Sequence, residues 1–143
     1  MARWWGGPRP DDPEFDAALD WLDGDETDTT WVIEVDGAIA GSIQAAEELE
    51  RDYRHAGLDL FLSSAYQGQG LGTDAIRTAA RWLFEVRGHH RLTIDPSAAN
   101  ERAIRAYVRV GFRPIGIQRQ YERGPDGTWH DGLLLDLLAG ELR

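Results

Sequence analysis

Glycines occupy alternate positions, Gly68, Gly70 and Gly72, in the stretch SAYQGQGLGTDAIRTAARWLF that begins at Ser64. The run ahead of them, GLDLFLS, reads as a strand. The run behind them sets Leu71, Ala75, Ile76, Ala79, Leu83 and Val86 on one helical face, with Gly88 as a stop. A strand-to-helix turn leaves backbone N–H groups unpaired at the positive end of the helix dipole, and glycines let an anion approach them closely. Phosphate or pyrophosphate suits such a turn. Two familiar phosphate turns fail to match. A P-loop needs Lys and then Ser/Thr after its last glycine, where this chain has Thr73 and Asp74. A dinucleotide fingerprint needs glycine where Thr73 stands.

The spacing Gln67-x-x-Gly70-x-Gly72 resembles the pyrophosphate turn of the GNAT superfamily of N-acetyltransferases, Q/R-x-x-G-x-G/A. A second stretch, NERAIRAYVRVGF, resembles the same superfamily's N-x-x-A-x-x-x-Y-x-x-x-G-F through Asn100, Ala103, Tyr107, Gly111 and Phe112. The two lie in the order the superfamily requires, with helix and strand between them. WWGG at 4–7, GLDLFL at 57–62 and DPSAANERAIRAYVRVGF at 95–112 narrow the resemblance to the aminoglycoside 6'-N-acetyltransferases. It is tight from about residue 57 to 112.

The resemblance implies a cofactor, acetyl-CoA, and assigns residues to it. The backbone of Leu62 and Ser63 would pair with the pantetheine amides, and Gln67, Gly68, Gln69, Gly70, Leu71, Gly72 and Thr73 would receive the pyrophosphate. Asn100, Ala103 and Tyr107 would stand beside the pantetheine and its sulfur. Acetyl transfer to an amine needs a neutral amine, a polarised thioester carbonyl and a proton for the departing thiolate. Asp59 matches the carboxylate that holds and deprotonates the amine, directly or through water, and Tyr107 matches the phenol that returns a proton to sulfur. Asp95 matches a second acceptor carboxylate. Trp5, beside Trp4, and Glu48, within the acidic run of Glu47, Glu48, Glu50 and Asp52, complete the expected substrate site.

Each of these residues also has a plain structural reading. Asp59 reads as a solvent-facing strand residue, Tyr107 as a core aromatic, Asn100 as an N-cap, Asp95 as an Asp-Pro turn and the acidic run as a solvated loop.

The elements that must position these groups can be read in order. PEFDAALDWLDG spaces Phe15, Ala18, Leu19 and Leu22 as a short helix. Asp36-Gly37 between two β-rich runs predicts a hairpin with strands at about 30–35 and 38–45. EELERDYRHAG lacks an apolar face and reads as a loop or a short turn of helix. RLTID is a short strand, Ala103, Ile104, Tyr107, Val108 and Val110 share a helix face closed by Gly111, and FRPIGIQRQYE with TWHDGLLLDLL forms a final hairpin through Gly124–Gly127. The fold class is therefore α/β to α+β. The resemblance specifies it further as a central mixed, mostly antiparallel sheet flanked by helices, with a shortened N-terminus.

At 143 residues, a single domain over 1–143 is expected, and 42% hydrophobic with 28% charged residues is a folding composition. Without cysteine there is no disulfide, thiolate metal site or thiol nucleophile, and the four histidines lack ligand spacing, so no metal is expected. A net charge of -10 disfavours nucleic acid and anionic membranes and favours a cationic partner. The N-terminus lacks signal-peptide architecture, and a cytoplasmic location is the expectation. The superfamily usually places a strand and one or two helices ahead of the tryptophan–glycine loop at which this chain starts. A second subunit covering the sheet edge, hence a homodimer, is one way to meet that difference.

The function expected from the resemblance is acetylation of a primary amine of a cationic small molecule, first an aminoglycoside 6'-amine of the antibiotic-resistance type. Other amines remain open: a polyamine, a hydroxylysine-type siderophore precursor or a protein N-terminus. So does a non-catalytic acyl-CoA-binding domain.

Overall fold

The computed structural model describes residues 27–143. The expected helix around Phe15 to Leu22, and Trp4 and Trp5, lie outside the described residues.

Six strands form one sheet in the order β1-β2-β3-β4-β6-β5. Strand β1 (Asp28–Val35) and β2 (Ala38–Glu48) form the first hairpin, with Asp36 and Gly37 both at positive φ, 51° and 81°, as the Asp-Gly signal requires. Strand β3 (His55–Leu62) pairs antiparallel with β2, and β4 (Arg91–Ile94) runs parallel to β3. The remaining neighbours, β5 (Arg113–Arg123) and β6 (Trp129–Leu138), form the closing hairpin, and β6 pairs antiparallel with β4.

Helix α1 (Leu71–Glu85) buries Ile76, Ala79, Ala80 and Leu83, the i, i+3, i+4, i+7 stripe that drives it onto the sheet. Helix α2 (Glu101–Val110) starts at Asn100, whose side chain accepts from the Ala103 N–H at 3.2 Å, and buries Tyr107 and Val110. Both helices share one core with Leu58, Leu92, Phe112, Leu135 and Leu137. Burying each large side chain contributes about 1.5–3 kcal/mol.

Two sequence expectations need correction. The acidic run is not a solvated loop at Glu47: β2 continues through it, and its side chain is buried under the C-terminal end of α1. There it accepts from Arg87 Nε at 3.0 Å and contacts His89 Nε2 at 2.6 Å. Burial works to raise the pKa of this carboxyl, but the bonds from Arg87 and His89 outweigh it and hold it below the ordinary carboxylate range. The loop is confined to the turn between Glu48 and His55, because His55 and Ala56 belong to β3.

The feature that makes a site is a gap in the sheet. Pairing between β3 and β4 covers only Ala56–Leu58 against Leu92–Ile94. Beyond it β4 ends, while β3 runs on to Leu62 with only β2 beside it.

Candidate active site

The gap opens into a cleft of about 660 Å³, within the range that encloses a small molecule. Its walls come from the end of β3, the turn before α1, the segment after β4, α2, and the end of β5.

The glycine turn forms one part of the cleft. Gly68 and Gly70 stand at φ 76° and 81°, a backbone region that favours glycine, and Gly70 is the N-cap of α1 with no side-chain cap. No described group accepts a hydrogen bond from the backbone N–H groups of Gly68 through Thr73. A Cβ added at Gly70 would meet nothing within 4 Å, so open space stands before these donors. Unpaired amides, a helix dipole and open space together fit an anionic phosphate. Gln67 braces the turn: its Nε2 donates to the Leu62 carbonyl at 3.0 Å. Gln69 donates its Nε2 to the Ala65 carbonyl at 3.1 Å, and neither Gln69 nor Leu71, both expected at the cofactor, lines the cleft.

Arg102, Arg105 and Arg109 project into the same cleft from α2, and the guanidinium of Arg102 lies 3.9 Å from where a Gly68 Cβ would be. Sequence reading passed over these arginines, although the i, i+3, i+7 spacing that puts them on one face was visible.

Another part of the cleft is acidic. Asp59 is exposed to solvent through the open cleft, although protein atoms are densely packed around its carboxylate. Burial, then the charge of Asp95, raise its pKa to about 6, with a smaller contribution from Glu122 and an opposing backbone hydrogen bond from Leu60. Asp95, just past β4, accepts from the Tyr121 hydroxyl at 2.5 Å. Tyr121 and Glu122 were not foreseen from the sequence. Tyr107 is only 5% exposed and packs edge-on against Phe112 at 6.3 Å, and its hydroxyl has no hydrogen-bond partner among the described residues. Burial, then the charges of Asp59 and Asp95, push its pKa upward, so the phenol keeps its proton at neutral pH.

The cleft thus brings together Asp59, Asp95, Leu62, Gln67, Gly68, Gly70, Gly72, Thr73, Asn100, Ala103 and Tyr107. It does not gather all that was expected. Ser63 lies outside the lining, and its N–H is spent on the Ala40 carbonyl at 2.8 Å. Strand alternation therefore turns Leu60 and Leu62, not Ser63, toward the gap, and the Leu62 carbonyl is already taken by Gln67. Glu48 pairs with His55 at the far end of β3, about 13 Å along the strand from Asp59, and does not line the cleft. Trp5 is outside the described residues. No group of His, Asp or Glu among the described residues could hold a metal ion, and no helix there is long and apolar enough to cross a membrane.

Residues 1–112 match the model of the acetyltransferase (GNAT) family. The spermidine N(1)-acetyltransferase of Escherichia coli K12 is 30% identical over 116 residues, covering 81% of this chain and 62% of that protein. The aminoglycoside N(6')-acetyltransferase type 1 of Klebsiella pneumoniae is 30% identical over 129 residues, covering 81% of this chain and 64% of that protein. The chain therefore spans less than two thirds of these relatives' length. Among solved structures, an acetyltransferase from T. thermophilus, described as putative, superposes with a TM-score of 0.83 at 25% identity, over 97% of this chain and 73% of that one. Mycobacterium smegmatis RimJ, solved in complex with CoA-disulfide, also gives 0.83, at 23% identity over 97% and 71% of the two chains, and this likeness is one of fold.

Proposed function

The chain belongs to the acetyltransferase (GNAT) family, and from that premise we propose that it transfers acetyl from acetyl-CoA to a primary amine of a cationic small molecule, with an aminoglycoside 6'-amine as the specific acceptor. The observation that carries this reading is the division of one cleft into two chemistries. Free backbone N–H groups and three arginines suit an anionic cosubstrate, and uncompensated carboxylates suit an ammonium. The similarity to a spermidine acetyltransferase at the same 30% identity favours a polyamine as the second reading.

In this reading the turn from Gly68 to Thr73 holds the pyrophosphate through backbone N–H groups, and Arg102 adds a cation beside it. Acetyl-CoA supplies the activated acetyl group and leaves as the thiol. Ionised Asp59 holds the acceptor ammonium and takes one proton from it, so that the neutral amine can form the N–C bond, and the second proton that the nitrogen sheds on becoming an amide passes to solvent. Tyr107, still protonated, gives its proton to sulfur as the C–S bond breaks, and the two side chains then exchange protons with solvent.

Thiol release from acetyl-CoA, measured with a panel of aminoglycosides, polyamines, N-terminal peptides and N6-hydroxylysine, tests the proposal. Amine-dependent release with the aminoglycosides is expected. Coenzyme binding without release by any amine would favour a non-catalytic acyl-CoA-binding domain.

Gly70→Asp puts a charge in front of the free amides and strains a left-handed position. It is expected to weaken coenzyme A binding at least about tenfold, or about 1.4 kcal/mol, by calorimetry on folded protein. Unchanged affinity would place the coenzyme elsewhere.

A further inference from the structure

The last hairpin is irregular where it meets the cleft. Gln118 pairs with Gly132 and Glu122 with His130, so Arg119, Gln120 and Tyr121 on β5 stand opposite Asp131 alone. Gln120 takes up the excess at φ 50°, and its N–H donates to Asp131 Oδ1 at 2.8 Å. The bulge breaks the alternation of β5 and turns neighbouring residues toward the cleft.

Gly132 makes room for this. A Cβ there would lie 2.9 Å from Tyr121 Cδ1, so the ring lies close over a position that only glycine leaves clear. The segment after β4 is tied to the same place, through the Ser97–Gly132 bridge, Ala98 N–H to the Asp131 carbonyl at 2.9 Å, and Leu133 N–H to the Pro96 carbonyl at 2.9 Å. Asp95 is thus fixed from behind by its own segment and from the front by the Tyr121 hydroxyl. Glu122, half-buried in the cleft wall, makes no hydrogen bond or ion pair among the described residues.

Three carboxylates, of Asp59, Asp95 and Glu122, therefore face one cleft without an ion-pair partner among the described residues. Tyr107, only 5% exposed as a residue, brings a hydroxyl with no partner among the described residues to that cleft as well. Burial first and then the charge of Asp95 raise the pKa values of both Asp59 and Glu122, while His130, opposite Glu122 on β6, works the other way on Glu122. A single ammonium on Asp59 leaves the other charges uncompensated, whereas a second ammonium in the same molecule relieves them.

Building on the proposed amine acetylation, we infer that the β5 bulge is a specificity device: Glu122 receives a second ammonium group of the acceptor, and Tyr121 is a positioning residue that holds Asp95 in register with it. The acceptor class is then a small molecule with at least two amines, one acetylated at Asp59 and another anchored at Glu122.

The test compares spermidine and kanamycin with n-butylamine by thiol release. Wild-type enzyme is expected to prefer at least one polycation to the monoamine by about tenfold or more in kcat/KM, the scale of one charge-assisted contact. Glu122→Gln is expected to raise KM for that polycation about tenfold while kcat moves less. Tyr121→Phe, which keeps the ring over Gly132, should raise KM in the same direction by a smaller factor.

Equal turnover of monoamine and polycations by wild type, or a loss in Glu122→Gln confined to kcat, overturns the inference and leaves the acetyltransferase reading standing. No turnover of any amine by wild type overturns that reading, and this inference falls with it.

Discussion

Asp59→Asn is expected to lower kcat/KM for the acceptor amine by about 10²-fold or more, the usual scale for losing a general base. Affinity for coenzyme A should stay close to wild type, because the glycine turn that would hold it is built from backbone beyond the end of β3. Asparagine keeps the size of the side chain but neither holds an ammonium by charge nor takes its proton. Stability separates this outcome from mere unfolding. The folded-state pKa of Asp59, about 6, lies above its ordinary 3.8. The folded protein therefore binds that proton more tightly than the unfolded chain, and stability falls as pH rises from about 4 to about 6. Above that window the ionised carboxylate is a standing cost that asparagine removes. The variant should melt no lower than wild type at pH 7 while losing activity. Thermal melts beside steady-state kinetics check both halves, and full activity would pass the role to Asp95 or to a water chain.

Tyr107→Phe should fail differently, with kcat down about 10²-fold and the KM for amine little changed. The ring is held by packing against Phe112, so phenylalanine fills the same space. The hydroxyl has no partner among the described residues, so its loss leaves no buried group stranded there. What disappears is a proton donor whose pKa is pushed up by burial and then by Asp59 and Asp95. The deficit should shrink with an acetyl thioester whose thiol is more acidic, since that leaving group needs less help. An equal deficit with both donors would mean that Tyr107 does not protonate sulfur.

What the sequence made legible was local. The turn from Gln67 to Thr73 and the N-cap at Asn100 are contiguous stretches whose conformation is set by a few glycines and one capping side chain, and both lie at the cleft. Asp59 could be placed because it precedes that turn on the same strand. Tyr121 and Glu122 could not, because QRQYE reads as uninterrupted strand. Its bulge depends on Gly132 and Asp131 across the hairpin, contacts that no window along the chain contains. Glu48 was expected at the acceptor site because the resembling family lines it with that region, but here it ends β2 opposite His55, and an extended strand carries it away from Asp59. Glu47 read as a solvated charge because its partners, Arg87 and His89, follow a whole helix later.

The central claim is that a carboxylate in this cleft captures an ammonium and takes its proton. The pH dependence of kcat/KM for the acceptor, in wild type and in Asp95→Asn, tests it most directly. With Asp59 as the base, kcat/KM should rise with pH through about 6 as the carboxylate ionises, then fall near the amine's own pKa, about 10 for an alkylamine. Asp95→Asn removes a charge that raises the Asp59 pKa, so the acidic limb should move to lower pH. A profile that climbs without a limb near 6 until the amine itself loses its proton, unchanged by Asp95→Asn, would mean that the enzyme takes neutral amine from solution and would contradict the account.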